Sequence, residues 1–320
     1  MKAITLVCVI LFVVSFTAPQ KLTAQSEKTK SFTGIKSIRM NTSSGDCKIQ
    51  RSPDASVTVA VRTTGDYDKN VEFTMDQEGA RLVIKEIFHS NNTHGDAKWT
   101  LTIPEGLNLK FHTGSGNLSI ANLKIDLEAV TGSGDLEFNK LSGQIDATTG
   151  SGDLTLQDSN GEIGITIGSG SALVQNTQGD IKLTCGSGNI RVSDSNATFA
   201  MTTGSGNVVS KNITISGSSS FTSGSGDTSV ILAATPKHNI SLASGSGNAE
   251  LNFNGHDIVG EVVMQANKKN GNIMAPFDFD KVEEVDNGGS QTTVKKTAVK
   301  GGGSNRVRIS TRSGDAVLKK

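Results

Sequence analysis

Gly-Ser-Gly followed by Asn, Asp or Ser begins at Gly114, Gly132, Gly150, Gly168, Gly186 and Gly204, each copy 18 residues after the last. Two further copies begin at Gly224 and Gly245, after steps of 20 and 21 residues, and degenerate copies stand at Ser44-Gly45-Asp46 and Ser313-Gly314-Asp315. A fixed period of this length marks a repeat architecture: one unit cannot bury its own apolar face and must stack on copies of itself.

Within the unit the apolar residues fall into columns. With the Asn or Asp counted as position one, position two reads Leu118, Leu136, Leu154, Ala172, Ile190 and Val208, and position four reads Ile120, Phe138, Leu156, Val174 and Val192. A second alternating run occupies position eleven (Leu127, Ile145, Ile163, Ile181, Phe199), position thirteen (Ala129, Ala147, Ile165, Leu183, Met201) and position fifteen (Thr131, Thr149, Ile167, Cys185, Thr203). A period of two is that of a strand with one buried face. Turn formers, including Gly143, Gly161 and Gly179, lie between the two runs. Stacking one unit per coil places like residues about 4.8 Å apart in parallel ladders. The expected fold is all-β: a single-stranded right-handed parallel β-helix (solenoid) of about 18 residues per coil, the hand following the preference of parallel crossovers. At the Gly-Ser-Gly corner, glycine is expected for positive φ and because stacked corners approach too closely for larger side chains.

This register divides the chain into a segment 1–24 and one domain, 25–320. Regular repeats span 113–253. Residues 25–112 alternate at Val57, Val59 and Val61, at Leu82 and Ile84, and at Trp99, Leu101 and Ile103, with irregular turns; they read as distorted first coils that cap the array. Residues 254–320 read as C-terminal coils with a long loop from Phe277 to Asn305. Val307, Ile309 and Thr311, the Ser313-Gly314-Asp315 corner, then Ala316 and Leu318 repeat the columns, so the chain is expected to end on a coil.

Residues 1–24 have the layout of a secretory signal peptide: Lys2, an apolar run from Ala3 to Val14, and Leu22-Thr23-Ala24 before a cleavage point at Gln25. The run is shorter than the roughly 20 residues that span a bilayer, and no transmembrane segment is expected after cleavage. The protein is therefore expected to be exported: periplasmic, outer-surface or extracellular. Cys47 and Cys185 are the cysteines that remain. Position two for Cys47 and position fifteen for Cys185 point both inward, at least four coils or about 19 Å apart, whereas a disulfide needs Cα atoms within about 7 Å. Both are expected to be unpaired.

The recurring Thr-Gly-Ser-Gly-Asp and Thr-Gly-Ser-Gly-Asn corners, Ile103-Pro104-Glu105-Gly106-Leu107 and the final run from Arg308 to Lys320 resemble a family of exported bacterial β-strand-repeat proteins of unknown function, often labelled "putative adhesin". The resemblance covers nearly all of the chain after residue 24. It implies a β-helix and carries no catalytic residue to transfer.

Lys plus Arg and Asp plus Glu are equal at 31 each, which leaves no net field to hold a nucleic-acid backbone. The column Asn117, Asp135, Asp153, Ser171, Asn189, Asn207, Asp227 and Asn248 could offer oxygen ligands to calcium. Asn or Ser replaces the acidic residue at five of its eight positions, however, and the column is read as turn-forming. A polysaccharide lyase or hydrolase would need converging carboxylates or an acid–base pair, framed by long loops and aromatic residues. Aromatics make up 4 % of the chain, and outward Asp146, Glu162 and Asp180 are read as sharing no column. His89, His94, His112, His238 and His256 lack metal-ligand spacing. An outward threonine column, Thr148, Thr166, Thr184 and Thr202, lacks the matching second column of an ice-binding face. The expectation is thus a non-catalytic exported scaffold of structural or adhesive type, with no catalytic, cofactor or metal residues, whose partner would be a glycan or cell-envelope component. A polysaccharide-active enzyme is the alternative.

Overall fold

The computed structural model describes residues 26–90, 92–286 and 292–320, and the segment 1–24 lies outside them. Among the described residues, 27 strands belong to one hydrogen-bonded system, with a single helical turn at Tyr67–Asn70. No helix is long and apolar enough to cross a membrane.

The central strands stack in parallel with like residues in register. Ile145 pairs with Ile163 and Ile163 with Ile181, while Leu136 pairs with Leu154 and Leu154 with Ala172. Each step is 18 positions. The two longer units are absorbed without losing the columns, since Met201 pairs with Phe221 and Phe221 with Leu242. The inward columns form one continuous core: Phe138, Leu156, Val174, Leu183 and Phe221 are fully buried. Ile, Val, Leu and Phe suit a pleated surface packed on one side, so local preference and burial agree along every coil.

The corners divide their requirements differently from the expectation. Gly116, Gly134, Gly152, Gly226 and Gly247 lie outside the positive-φ set, whereas Gly45, Gly170, Gly188, Gly206 and Gly314 lie within it. What all ten share is contact: a Cβ on any of them would fall within 3.0 Å of backbone in the adjoining layer. Close approach is therefore the constraint common to this corner. Positive φ at residues other than glycine marks a second corner, between the two runs. Asn122, Lys140, Asp158, Asn176, Asp194 and Asn212 all have φ between 49° and 56°, a left-handed conformation that Asn and Asp tolerate best.

Both ends depart from sequential stacking. Residues 37–51 form a coil whose Ile38 pairs with Leu109 on one side and Leu82 on the other, and whose Cys47 pairs with Leu118 and Trp99. The first coil in sequence is thus held between residues 107–121 and a later layer made by Arg81–Phe88 and Ala97–Ile103. Antiparallel strands then close the stack: Val71–Glu78 on Arg81–Phe88, Val57–Thr63 on Ala97–Ile103, and Ser26–Phe32 outermost. The N-terminal segment therefore stacks its layers out of chain order.

The C-terminal end repeats the device. Ile309 pairs with Leu242 and Met264, and Ala316 with Ala249 and Ile273. The last coil in sequence is thus an inner layer, covered by residues 260–274. The segment expected to be a long loop carries two strands: Thr292–Lys300 is added antiparallel to Gly260–Asn267, and Lys281–Asp286 antiparallel to Thr292–Lys300. Parallel growth leaves unpaired strand edges, and an antiparallel turn-back is a short way to cover them. The outermost strands carry Glu27, Lys28 and Lys30 at one end and Lys281, Glu283 and Glu284 at the other, charges that discourage edge-to-edge pairing.

Candidate functional site

The polar residues that define the repeat act between coils. Because position one of each coil lies directly over position one of the next, a side-chain oxygen can accept from the backbone N–H of the neighbouring layer. Asp135 N–H donates to Asn117 Oδ1 at 2.8 Å, Asp153 N–H to Asp135 Oδ1 at 2.9 Å and Ser171 N–H to Asp153 Oδ1 at 2.7 Å. The ladder continues through Asn207, Asp227 and Asn248. It then follows spatial rather than sequence order, from Asp315 N–H to Asn248 Oδ1 and from Asn272 N–H to Asp315 Oδ1, both at 2.8 Å. Asn272 has no Gly-Ser-Gly before it, so the repeat motif does not mark it.

Position fifteen serves the same corner from inside. The hydroxyls of Thr149 and Thr203 donate to the carbonyl oxygens of Gly134 and Gly188 at 2.9 and 2.8 Å. Cys185 takes the threonine place, with Sγ 3.0 Å from the carbonyl oxygen of Gly170. Cys47 lies 3.9 Å from Met40 Sδ. Both cysteines are unpaired and buried, as their columns require. Burial pushes both thiols up from their ordinary value, with Asp46 adding to the effect at Cys47.

The outward face of the longer strands is a regular surface. At its centre, a trough of about 360 Å³ is lined by Asp146, Glu162, Asp180 and Lys182. Gly164 makes the trough: the Asp146 carboxylate leans across it, where a Cβ would fall within 3.0 Å of Oδ1. Gln144 Nε2 donates to Asp146 Oδ2 at 3.1 Å. Glu162 and Asp180 are direct partners on adjacent strands, so they do share a column, contrary to the sequence reading; both project from the same exposed side of the sheet. Thr148, Thr166, Thr184 and Thr202 are exposed on the same face. The histidines are dispersed, His89 beside Glu72 and His112 beside Glu128. Among the described residues, no three His, Cys, Asp or Glu side chains gather as a metal ion would need.

A half-buried polar cluster ties the N-terminal cap together. Glu86 accepts from Trp99 Nε1–H at 2.9 Å and from Ser43 N–H at 2.8 Å, joining its own layer to the 37–51 coil, and Tyr67 Oη lies 2.9 Å from Ser44 Oγ. Burial holds the Glu86 carboxyl above its ordinary value, opposed by these N–H donors. No sequence pattern pointed to Glu86, because its partners are brought together by the interleaving of coils.

Parallel ladders around one apolar core, with side-chain ladders at the corners, define a β-solenoid protein. The chain belongs to the Toastrack DUF4097 family, whose model matches residues 35–274. Comparison with the curated proteins returns no match. Among solved structures, it is similar to a "putative lipid binding protein" from Parabacteroides distasonis, at 12 % identity over 92 % of this chain and 96 % of that one, TM-score 0.39. It is also similar to a "putative adhesin" from Bacteroides fragilis, at 11 % identity over the same shares, TM-score 0.34. A third likeness is to a "putative adhesin" from Parabacteroides distasonis, at 14 % identity over 93 % and 98 %, TM-score 0.33.

Proposed function

We propose that the chain is a non-catalytic, exported scaffold of structural or adhesion type, a right-handed β-helix of about 18 residues per coil, with a glycan or cell-envelope component as partner. One observation carries this reading: the polar residues that recur in every unit are engaged in hydrogen bonds from coil to coil. Repetition here serves a stiff body, and its regular outer faces present side chains at fixed spacing. Export follows from the signal-peptide layout of residues 1–24. The test is to incubate the purified protein with a panel of neutral and acidic polysaccharides and record both retention and new chain ends. Retention without cleavage is expected.

A second reading, a polysaccharide-active enzyme, is favoured by the Glu162–Asp180 pair above the trough. Strands about 4.8 Å apart bring two carboxyl groups near the spacing of a retaining glycosidase pair, about 5 to 5.5 Å. Such a pair flanks the scissile bond, however, whereas these two point the same way from one sheet. Cleavage abolished by Glu162→Gln or Asp180→Asn would establish the enzyme and overturn the scaffold.

A further inference from the structure

At the C-terminal end of the same outer face lies a groove of about 650 Å³, the work of three features. Small residues form its floor: Gly224 and Gly245 belong to the glycine column of the repeat corner, and Ala243 stands in register with Thr222. The interleaved last coil raises Arg308 and Arg312 along one wall, and Gln265 and Asn267 of the covering layer stand beside them.

Charge singles out this groove. The last coil carries three arginines with different surroundings. Arg306 is neutralised by Glu261, with Nε and Nη2 both 2.6 Å from Oε2. Arg308 instead donates to the neutral amide of Gln265, Nη2 to Oε1 at 3.0 Å, which orients the guanidinium without cancelling its charge. Arg312 is exposed, and among the described residues no carboxylate lines the groove. The remaining polar lining is hydroxyl and amide, from residues such as Thr222 and Ser310. Two uncompensated guanidinium groups in such a lining are suited to carboxylates carried on a hydroxyl-rich chain, because guanidinium binds carboxylate through two parallel N–H donors.

We infer that this groove binds a carboxylated polysaccharide. The inference deepens the scaffold reading by naming a site and a ligand class, and it rests on that reading. The groove crosses five hydrogen-bonded strands, roughly 19 Å at the spacing of neighbouring strands, and it is open, so several sugar units of an extended chain fit along it. A lipid surface is a poorer match. Membrane-surface binding adds buried apolar side chains to charge, and none of the large exposed apolar residues, such as Val282, Val299 or Met274, lines the groove.

The experiment measures binding of polygalacturonate oligomers by titration calorimetry, with dextran as the neutral control and phosphatidylglycerol vesicles as the lipid probe. The proteins compared are the wild type, Arg308→Gln, Arg312→Gln, the double variant, and Lys211→Gln on the other outer face. Unchanged melting midpoints establish that all are folded. The expected result is salt-sensitive binding of polygalacturonate but not dextran, weakened at least about tenfold by each arginine substitution and unchanged by Lys211→Gln. No binding of polygalacturonate, equal affinity in the double variant, or binding confined to vesicles would each overturn the groove assignment and leave the scaffold reading standing. Cleavage of the oligomers by wild type, with affinity still dependent on the arginines, would overturn the scaffold reading and leave the groove assignment standing.

Discussion

Gly152 sits directly over Gly134, so close that a Cβ on Gly152 would fall within 3.0 Å of the Gly134 carbonyl oxygen, while Gly152 N–H donates to Thr149 Oγ1 at 3.0 Å. The backbone at Gly152 has ordinary φ, so the constraint is space alone. Gly152→Ala must force two coils apart, and a loss of about 3 kcal/mol or more is expected. Gly79 gives the contrast: its φ is +64° and a Cβ there meets nothing within 4 Å. Gly79→Ala should cost about 1 kcal/mol from backbone strain. Urea denaturation of both variants checks the ordering, and equal losses would contradict the close-approach account.

Strand parity is tested by one pair of substitutions. Ile163 is 1 % exposed and stacked between Ile145 and Ile181, whereas Thr166, three residues on, is exposed between Thr148 and Thr184. Ile163→Asp buries a carboxyl without partners and should cost several kcal/mol, about 3 or more, with damage spreading to adjacent coils. Thr166→Asp should cost about 1 kcal/mol or less. A larger loss at Thr166 in chemical denaturation would reverse the assignment of faces.

Glu86 should give the N-terminal cap a measurable pH dependence. Glu86→Ala leaves the Trp99 indole N–H and the Ser43 N–H without their acceptor, at a cost of about 1 to 3 kcal/mol. Burial raises the folded carboxyl above its ordinary value of 4.5. For a raised carboxyl, the folded state binds the proton more tightly. Its contribution is therefore complete below the unfolded value and is lost as pH rises through the folded one. The stability difference between wild type and Glu86→Ala should accordingly narrow from about pH 4 towards neutrality. A gap that widens over this range would show that the hydrogen bonds, not burial, set the carboxyl's affinity for its proton.

The last coil should behave as interior although it ends the chain. Val307 and Ile309 are fully buried between two parallel neighbours, while Lys281–Asp286 is an outermost strand. Hydrogen exchange of the Arg306–Thr311 amides should be slower than that of Lys281–Asp286 by about 100-fold or more. Deleting residues 306–320 should release the covering strands Gly260–Asn267 and Thr292–Lys300 as well, seen as a lower melting midpoint and rapid proteolysis there. Comparable exchange in the two strands would mean that the interleaving is not maintained in solution.

Much of this architecture is local in origin, and to that extent the sequence determined it. Alternation at positions two and four and from eleven to fifteen assigns each residue a face, and an 18-residue period brings like residues together once coils stack. Ile163, Thr166, Cys47 and Cys185 therefore stand where their columns place them. Tertiary structure alone decided the order of layers at the ends. Nothing periodic says that Cys47 lies between Leu118 and Trp99, or Ala316 between Ala249 and Ile273. A coil with two like faces can accept a neighbour on either side, and the choice depends on which segment returns to cover the exposed edge. The Glu86 cluster, the shared column of Glu162 and Asp180 and the arginine groove differ in how they arise. The second is present in the 18-residue spacing, whereas the first and third exist only because layers distant in sequence become neighbours in space.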